Sequence, residues 1–320
     1  MTAFFFERAG MAELMPPIAV FAFNRPDHLQ RTLDALAANV GAAAASLVVF
    51  CDGPRSEADA SSCEQVVQVA RQARGFATLD IVVRERNFGC GGSVIDGVST
   101  MLRNHTSIIV IEDDILTSPF TLDYLRRALD KYVSHPSVFS IAAWAPPFPV
   151  TEPTYPYNSF FFPRFHCWGW ATWRDRWQLN EWSFPKYDDY VAYPFLRAAH
   201  RRGGVDLPIL LQSQVEGKID SWAARVEYTR FLNGGLTLYP RHSHVLNIGM
   251  DGSGRHCGKS TKYGTALSQH KSRDAAPFPC HVCVDDRIAS RVRRIYRPPS
   301  LVRRLASKMS RMIQARLRLP

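Results

Sequence analysis

Short apolar runs alternate with stretches of helical periodicity through the first half of the chain. The apolar runs cover residues 18–22, 47–51, 79–83, 107–111 and 138–142. After the first run, Pro26 suits the first turn of a helix, and Leu29, Leu33 and Leu36 recur at helical spacing. Strands that alternate with helices in this way are typical of a parallel sheet covered on both faces. The pattern predicts an α/β fold with a doubly wound, mostly parallel sheet.

The composition changes after about residue 150, where proline and aromatic residues become frequent. Five of the seven tryptophans lie between Trp168 and Trp182. Exposed rings in such a cluster can stack on sugars, and buried rings can pack a core, so both interpretations stay open. We expect residues 151–265 to form a smaller region beside the sheet and residues 266–286 to form an irregular linker.

Positive charge is concentrated at the C-terminal end. The chain has 39 Lys and Arg against 29 Asp and Glu, and from Arg287 onward there are eleven basic residues and no acidic ones. Within this tail, Ser300 can cap a helix whose apolar stripe starts with Leu301 and Leu305. Residues 300–318 are therefore predicted to contact an anionic membrane surface. A helix packed on the body and an unstructured basic end are the alternatives.

The lengths of the apolar runs and the distribution of the cysteines indicate the cellular compartment of the protein. No apolar run reaches the length of a signal-peptide core or a membrane span. The seven cysteines are odd in number and scattered, unlike those of a secreted disulfide scaffold. We expect a cytoplasmic protein that the tail can hold on the inner face of a membrane. A nucleic-acid binder that uses the basic tail is a rival interpretation, but no nucleic-acid partner is expected.

Three consecutive carboxylates, those of Glu112, Asp113 and Asp114, directly follow an apolar strand. Adjacent carboxylates repel one another, and placing them at the end of a buried strand is costly without a compensating cation. Mg²⁺ and Mn²⁺ take oxygen ligands and share them with substrate phosphates. In an open α/β sheet, ligands bind at the carboxyl ends of the strands. The triplet therefore predicts a metal-assisted site, and an acidic first turn of a helix is the alternative.

Polar residues also follow the first and second predicted strands. Asn24 and Arg25 come after the first strand, and Asp52 comes after the second. An arginine at this edge can hold a diphosphate, and an aspartate can accept a hydrogen bond from a base N–H. Each residue alone is more often a cap or turn residue. Three neighbouring strand ends with polar residues favour a single binding site.

Two glycine-rich segments are candidates for phosphate contact. Residues 89–92 precede a helix predicted around residues 94–102, and they lack the spacing of a Walker A or dinucleotide-binding loop, so a tight turn with some substrate contact is favoured. Gly252 and Ser253 belong to a second segment, rich in backbone donors, that can fold over a diphosphate. An ordinary surface loop is the alternative. His256, just beyond, is a candidate metal ligand or phosphate contact.

A further carboxylate, that of Asp220, is followed by Ser221 and Trp222. A carboxylate beside an aromatic side chain can serve as a general base. The local sequence gives only a weak signal for this role.

In chain order, these segments resemble the N-acetylglucosaminyltransferase I family, which has a GT-A fold and uses UDP-GlcNAc, Mn²⁺ and an inverting mechanism. The resemblance runs from about Pro17 to Gly254. Its most specific segments are residues 109–115, which contain the acidic triplet, and residues 137–144, which end in Ala-Trp; residues 161–163 and 169–170 match a further stretch. The resemblance implies a GT-A-like fold and a glycosyl transfer reaction.

The resemblance also implies roles for single residues. Asp114 would bind the metal, Glu112 and Asp113 would contact the sugar and ribose, Arg25 would face the nucleotide, Asp52 would face the uracil, and Gly252 and Ser253 would belong to a loop over the diphosphate. Asp220 matches the catalytic aspartate of a Trp-Asp-Asp-Trp motif that reads Ile219-Asp220-Ser221-Trp222 here, so half of the motif is altered. The family has an N-terminal membrane span and stem and lacks a basic tail, so its acceptor does not carry over.

The residues and the resemblance together predict an inverting glycosyltransferase that moves GlcNAc or a similar hexose from a UDP-sugar to a glycan or lipid-linked saccharide hydroxyl, with Mn²⁺ or Mg²⁺. The expected parts are an N-terminal extension (1–15), a nucleotide-sugar-binding half (16–150), an acceptor-side and catalytic half (151–265), a linker (266–286) and a basic amphipathic tail (287–320). One rival is a sugar nucleotidyltransferase, although residues 23–26 lack the glycine-rich basic loop expected there. Another is a catalytically inactive carbohydrate-binding protein.

Overall fold

The computed structural model describes residues 15–252, 263–264, 267 and 277–297. Ser253, His256 and the tail segment 300–318 lie outside the described residues, so what the sequence predicts for them stays a prediction. Among the described residues, no helix is long and apolar enough to cross a membrane.

The described residues form ten strands, ten α-helices and three short 3₁₀ helices. The strands are Ile18–Ala22 (β1), Ser46–Cys51 (β2), Thr78–Val83 (β3), Ser107–Glu112 (β4), Ile115–Thr117 (β5), Val138–Ala142 (β6), Ser159–Phe162 (β7), Trp170–Trp173 (β8), Leu236–Pro240 (β9) and Val245–Asn247 (β10). The α-helices are Pro26–Ala37 (α1), Glu57–Gln72 (α2), Gly89–Asn104 (α3), Thr121–Tyr132 (α4), Arg174–Trp177 (α5), Tyr187–Ala192 (α6), Pro194–His200 (α7), Leu207–Val215 (α8), Trp222–Leu232 (α9) and Asp286–Val292 (α10). The 3₁₀ helices are Ala42–Ala44, Arg201–Gly203 and Arg293–Tyr296.

Eight of these strands form one mixed sheet in the order β3-β2-β1-β4-β8-β6-β9-β7. Strands β1 to β4 pair in parallel, as do β6 and β9. Strand β8 is inserted antiparallel between β4 and β6, and β7 is antiparallel to β9 at the edge. Strands β5 and β10 form a small second sheet. The predicted α/β fold with a mostly parallel sheet is confirmed, and the sequence pattern missed its antiparallel strands.

Helices cover both faces of the large sheet. Side chains alternate along β1, so that Val20 joins one core with α1, α2 and α4, and Phe21 joins the other core with α3 and α9. Helix α3 approaches closely, because a Cβ added at Gly97 would lie only 2.5 Å from Phe21 Cε1. The burial of apolar side chains on both faces holds these layers together. The predicted doubly wound arrangement is present.

Most of the tryptophan cluster packs inside the protein. Trp170, Trp173 and Trp177 are each no more than 5% exposed, while Trp168 and Trp182 are half-buried. All four residues of β8 are buried, so its side chains are covered on both faces of the sheet. The core-packing interpretation therefore holds for the three buried tryptophans.

Two segments differ from the sequence-based expectations. The glycine-rich segment predicted as a tight turn is the first turn of α3, which begins at Gly89 rather than near residue 94. The start of the predicted tail packs on the body, since Ile288, Val292 and Ile295 are buried in the core that α1 and α4 also line. Apolar residues at helical spacing in this basic stretch explain its docking.

A buried ion pair fixes α9 beneath the chain that follows β7. The Glu227 carboxylate accepts from Arg230 Nε (2.9 Å) and Nη2 (2.8 Å) and from the backbone N–H of Phe165 (2.6 Å). His200 Nε2 lies 3.3 Å from the other carboxylate oxygen. Burial alone would raise the pKa of Glu227, but Arg230 and His200 outweigh it and lower the pKa to about 2.

We expect Glu227→Gln to lower the free energy of unfolding by about 3–5 kcal/mol, because Arg230 would remain buried without its charged partner. Urea unfolding monitored by circular dichroism measures this change. Glu216→Gln is the matched control, since Glu216 pairs with the exposed Lys218 and its loss should leave the unfolding midpoint unchanged.

The difference between the wild type and Glu227→Gln should also depend on pH. The folded carboxyl stays ionised down to about pH 2, whereas the unfolded one takes up its proton near the ordinary pKa of 4.5. Its contribution is therefore complete above pH 4.5 and is lost as the pH falls toward 2. The assignment would be contradicted if the difference in the free energy of unfolding between the wild type and Glu227→Gln did not narrow between pH 4.5 and pH 3.

Candidate active site

Polar residues meet where the parallel strands of the sheet end. In the register of the sheet, Ala22 of β1 pairs with Cys51 of β2, and Phe21 pairs with Glu112 of β4. The residues that follow these strands therefore share one edge of the sheet. They are Asn24 and Arg25 after β1, Asp52 after β2, and Asp113 and Asp114 after β4. This is the edge at which open α/β sheets bind ligands.

The acidic triplet forms a fixed turn at this edge. Glu112 ends β4, and Asp113 and Asp114 lead directly into β5. The backbone N–H of Asp113 donates to Phe21 O (3.0 Å), and Thr32 Oγ1 donates to Asp113 O (2.7 Å). Strand β1 and helix α1 thus hold the turn in place. The alternative interpretation, an acidic first turn of a helix, is wrong because a strand follows.

Arg25 provides a positive charge inside this turn. Its Nη2 donates to a carboxylate oxygen of Asp113 and, at 3.0 Å, to Asp114 Oδ2. The sequence predicts that Arg25 faces the nucleotide, and its contacts in the structure are with these two aspartates. One guanidinium is shared by the carboxylates of Asp113 and Asp114, so the turn keeps an excess of negative charge.

Within the part of the chain that the structure describes, one oxygen in the turn has no hydrogen-bond partner. Asp114 Oδ1 is buried and unpartnered, while Oδ2 contacts Arg25. An unsatisfied buried carboxylate oxygen is costly, and a hard cation satisfies it. Within the described residues, no group of three or more His, Cys, Asp or Glu side chains is arranged to hold a metal. The unpartnered Asp114 oxygen fits a cation that takes one protein carboxylate and substrate phosphates, as Mg²⁺ commonly does.

Burial and mutual repulsion perturb the acidic side chains. Desolvation raises the pKa of Glu112 to about 8, and the charges of Asp114 and Asp113 add to the shift. Desolvation also raises the pKa of Asp113 to about 6, although the Arg25 charge acts in the opposite direction. Such shifts are common at functional sites, because a ligand of opposite charge can relieve the repulsion.

The chain after β10 passes directly over the acidic turn. The backbone N–H of Ile248 donates to Asp114 O (2.8 Å). A Cβ added at Gly249 would lie 2.0 Å from Asp114 Oδ2 and 2.8 Å from Arg25 Nη1, so only glycine fits there. His28 Nε2 lies 3.3 Å from Asp251 Oδ2 and ties the same segment to α1.

Gly252 lies in an exposed turn at the end of this described segment, with φ of +96°. A side chain would strain this conformation, which explains the glycine. The segment predicted to close over a diphosphate contacts the acidic turn at Ile248 and Gly249, and the closure itself stays a prediction. Its remaining members, Ser253 and the candidate ligand His256, are beyond the described range.

Asp52 and Asn24 have structural partners at the same edge. Asp52 Oδ1 accepts from the backbone N–H groups of Gly53 (3.0 Å) and Phe88 (2.8 Å), and Oδ2 accepts from Asn87 Nδ2 (3.0 Å). These bonds join the end of β2 to the start of α3. Asn24 Nδ2 donates to Asp59 Oδ1 (2.7 Å). Both residues therefore shape the edge through bonds within the protein.

Asp220 is an exposed carboxylate close to the start of α3. Its side chain is 74% exposed, and a Cβ added at Gly91 would lie 3.6 Å from Asp220 Oδ1. Arg225 Nη2 lies 3.6 Å from the same oxygen, too far for a hydrogen bond. The next residue, Ser221, caps α9 through a bond from the backbone N–H of Ala224 (3.3 Å). The indole of Trp222 packs inward, away from solvent.

The carboxylates of the acidic turn and of Asp220 both affect the pKa of the Cys90 thiol. Desolvation first, and then the charges of Glu112, Asp113, Asp114 and Asp220, raise the pKa of this thiol. Cys90 is therefore within electrostatic reach both of the acidic turn and of Asp220, which is more than one hundred residues away from that turn in sequence. The start of α3 joins the predicted metal-binding turn to the predicted base.

An aromatic wall stands beside the acidic turn. His166 stacks on Trp144 with ring centroids 4.1 Å apart, and Trp168 contacts both rings edge-on. Burial, followed by the Arg164 charge, lowers the pKa of His166 to about 3, so the imidazole is neutral. The intervening Cys167 lies within electrostatic reach of Glu112 and Asp114. A neutral aromatic surface of this kind suits the C–H faces of a sugar ring.

Sequence reasoning did not identify some residues that build the site. Gly249 lies in the glycine-rich segment but gave no sign of its close approach to Asp114, and Thr32 looked like any helix residue. His166 gave no signal beyond its aromatic neighbours. Each of these contacts joins residues that are far apart in the chain, so no local pattern marks it.

No protein-family model matches the chain, and no curated protein matches it in sequence. Among solved structures, the chain is similar to the crystal structure of S. aureus TarS, a glycosyltransferase, with a TM-score of 0.41 and 11% sequence identity. The similarity covers 72% of this chain and 36% of that chain, so this chain spans about a third of that protein's length. A TM-score of 0.41 is too low to transfer a function, which has to be inferred from the site.

Proposed function

We propose that this chain is an inverting, metal-dependent glycosyltransferase that moves GlcNAc or a similar hexose from a UDP-sugar to a hydroxyl of a glycan or lipid-linked saccharide. One observation carries the proposal. An acidic turn with a buried, unpartnered Asp114 oxygen and an exposed carboxylate, Asp220, both lie within electrostatic reach of Cys90 in the first turn of α3. Glycosyl transfer requires one group that binds a cation for the donor phosphates and a second group that takes the proton of the acceptor hydroxyl.

On the donor side, Asp114 would hold Mn²⁺ or Mg²⁺, and the predicted ligand His256 is a second candidate. The bound ion would neutralise charge on the leaving diphosphate. Arg25 donates a hydrogen bond to Asp114. It can instead donate to a phosphate oxygen of the donor, because a guanidinium binds carboxylate and phosphate in the same geometry. The resemblance to the N-acetylglucosaminyltransferase I family supports ribose and sugar contacts for Asp113 and Glu112.

On the acceptor side, Asp220 takes the proton of the acceptor hydroxyl. The hydroxyl oxygen forms a bond to the anomeric carbon while the bond from that carbon to the UDP oxygen breaks on the opposite face, which inverts the configuration. The electron pair of the broken bond leaves with UDP. The high exposure of Asp220 leaves room for a large acceptor, and the wall formed by His166 and Trp168 offers a surface for a sugar ring.

Two rival functions share some of these features. A sugar nucleotidyltransferase would also use metal-binding carboxylates, but the segment after β1 lacks a glycine-rich basic loop. An inactive carbohydrate-binding protein would not require both the acidic turn and Asp220 within electrostatic reach of Cys90. We further propose a cytoplasmic location, with the predicted tail segment 300–318 at the inner face of a membrane.

A screen of nucleotide sugars tests the proposal. The full chain is incubated with Mn²⁺ and each of a panel of UDP-, GDP- and dTDP-sugars, and the released nucleotide is measured with and without EDTA. We expect EDTA-sensitive release from a UDP-sugar. Formation of pyrophosphate from UTP and a sugar 1-phosphate would identify the nucleotidyltransferase instead, and sugar binding without any turnover would identify the inactive binder.

A further inference from the structure

Large apolar side chains are exposed together in one part of the molecule. Five of them occur within residues 191–209, and Phe195 and Ile209 are the most exposed, at 66% and 67%. The set is Val191, Tyr193, Phe195, Val205 and Ile209, and we call it the 191–209 surface. Single exposed apolar residues are ordinary, whereas a group on adjoining elements indicates an interaction site.

The 191–209 surface is carried by a packed scaffold. It lies on α6, α7, the 3₁₀ turn Arg201–Gly203 and α8, which contact one another in succession. The inner sides of these elements are buried, as Tyr190, His200 and Leu207 show. The rings of Tyr193 and Phe195 lie 5.8 Å apart. The outward direction of the apolar side chains is therefore set by the fold rather than by fraying.

The same surface is basic. Residues 190–205 contain three arginines and no acidic residue, and the next acidic residue, Asp206, is engaged by two hydrogen bonds from Arg164, each 2.8 Å long. Asp188 and Asp189 precede the surface, in the first turn of α6. Arg201 and Arg202 are exposed beside the apolar side chains.

The basic C-terminal part of the chain joins this surface. Arg293 Nη1 donates to Arg202 O (3.4 Å), and a Cβ added at Gly204 would lie 3.2 Å from Tyr296 Cβ. Arg294 and Arg297 follow on the same segment and are exposed. The described chain ends here, and the predicted membrane-binding segment 300–318 follows it in sequence.

We propose that the 191–209 surface docks on an anionic lipid membrane. Phenylalanine, tyrosine and isoleucine side chains enter the boundary between headgroups and acyl chains, while arginines meet the anionic headgroups. A protein partner would use the apolar side chains equally well, but the surrounding arginines favour a partner with distributed negative charge. The docking is independent of the transfer reaction.

The position of this surface also indicates which class of acceptor substrate the proposed enzyme would use. Helix α8, nine residues and so about 13 Å long, runs from the surface toward the segment of Asp220. Gln214 at its end accepts from the backbone N–H of Ser221 (2.5 Å), next to Asp220. A membrane below the surface would therefore bring a lipid-linked saccharide close to the proposed base. This consequence rests on the proposed function, whereas membrane binding itself does not.

Co-sedimentation of the full chain with vesicles tests the docking. The vesicles contain equal parts of phosphatidylglycerol and phosphatidylcholine, and pure phosphatidylcholine vesicles serve for comparison. Phe195→Ser with Ile209→Ser should weaken binding about tenfold or more by removing apolar insertion. Arg201→Glu with Arg202→Glu should weaken it by a similar factor and reduce its salt dependence.

Val83→Ser with Val133→Ser is the matched control, because these side chains are 52% and 55% exposed elsewhere on the protein. The control variant should bind like the wild type, and circular dichroism should show that all variants are folded. Unchanged binding by the Phe195 and Ile209 variant would overturn the proposal and leave the tail alone as the anchor. Equal weakening in the control, or absence of wild-type binding to anionic vesicles at low salt, would overturn it too. None of these outcomes depends on transferase activity.

Discussion

Asp114→Ala is expected to abolish sugar transfer, with a fall in rate of about 10³-fold or more, the upper range for loss of a group that stabilises a charged leaving group. The substitution removes the buried, unpartnered Oδ1 that we assign to the metal. It should also abolish the Mn²⁺-dependent protection that UDP gives against thermal unfolding. Nucleotide release and melting curves, each with Mn²⁺ or EDTA, measure the two effects.

The fold should survive this substitution. Arg25 keeps its pairing with Asp113, and the removal of a carboxylate from a crowded acidic turn relieves repulsion. Asp96→Ala is a matched control, since it removes a carboxylate from an arginine pair (2.8 Å to Arg84) outside the site. Its activity should equal that of the wild type. A variant at Asp114 that keeps normal Mn²⁺-dependent turnover would remove this residue from the metal site.

Asp220→Asn should lower the transfer rate by about 10²-fold or more while donor binding stays unchanged, as expected for the loss of a general base. An amide keeps the shape of the side chain but does not take a proton. The side chain is 74% exposed, and Arg225 Nη2 lies 3.6 Å from its carboxylate, so little of the described structure depends on it. Initial rates at saturating donor, together with the donor dissociation constant, separate rate from binding.

Glu216→Gln is the control for this second substitution. It changes an exposed carboxylate to an amide four residues earlier in the same connection and should leave the rate unaltered. A parallel fall of donor binding and rate in Asp220→Asn would indicate a structural role. A pH–rate profile that keeps its acidic limb in the variant would argue against Asp220 as the base.

The sheet and its functional edge were largely predictable from the sequence. Apolar runs such as residues 18–22 and 107–111 are long enough for buried strands, and their alternation with helices sets the direction of the parallel strands. Once the strands are parallel, the residues after them share an edge. The placement of Arg25, Asp52 and the acidic turn follows from this local information.

The remaining features depend on contacts between distant parts of the chain. Nothing near Trp170 indicates that β8 inserts antiparallel between β4 and β6, because a fully buried strand reads the same in either direction. The pairing of Arg25 with Asp113 spans 88 residues. The approach of Gly249 to Asp114 depends on where β10 pairs with β5. Tertiary packing fixes these features, and no sequence period encodes them.

The most direct test of the proposed glycosyl transfer compares UDP release by the wild-type full chain with UDP release by the Asp114→Ala variant. Both proteins are given the donor that the screen identifies. The account predicts steady UDP release by the wild type in Mn²⁺, its loss in EDTA and its recovery when Mn²⁺ is restored. It predicts no release above background by Asp114→Ala under any of these conditions. Equal release by both proteins, or release by the wild type that EDTA does not affect, would contradict the account.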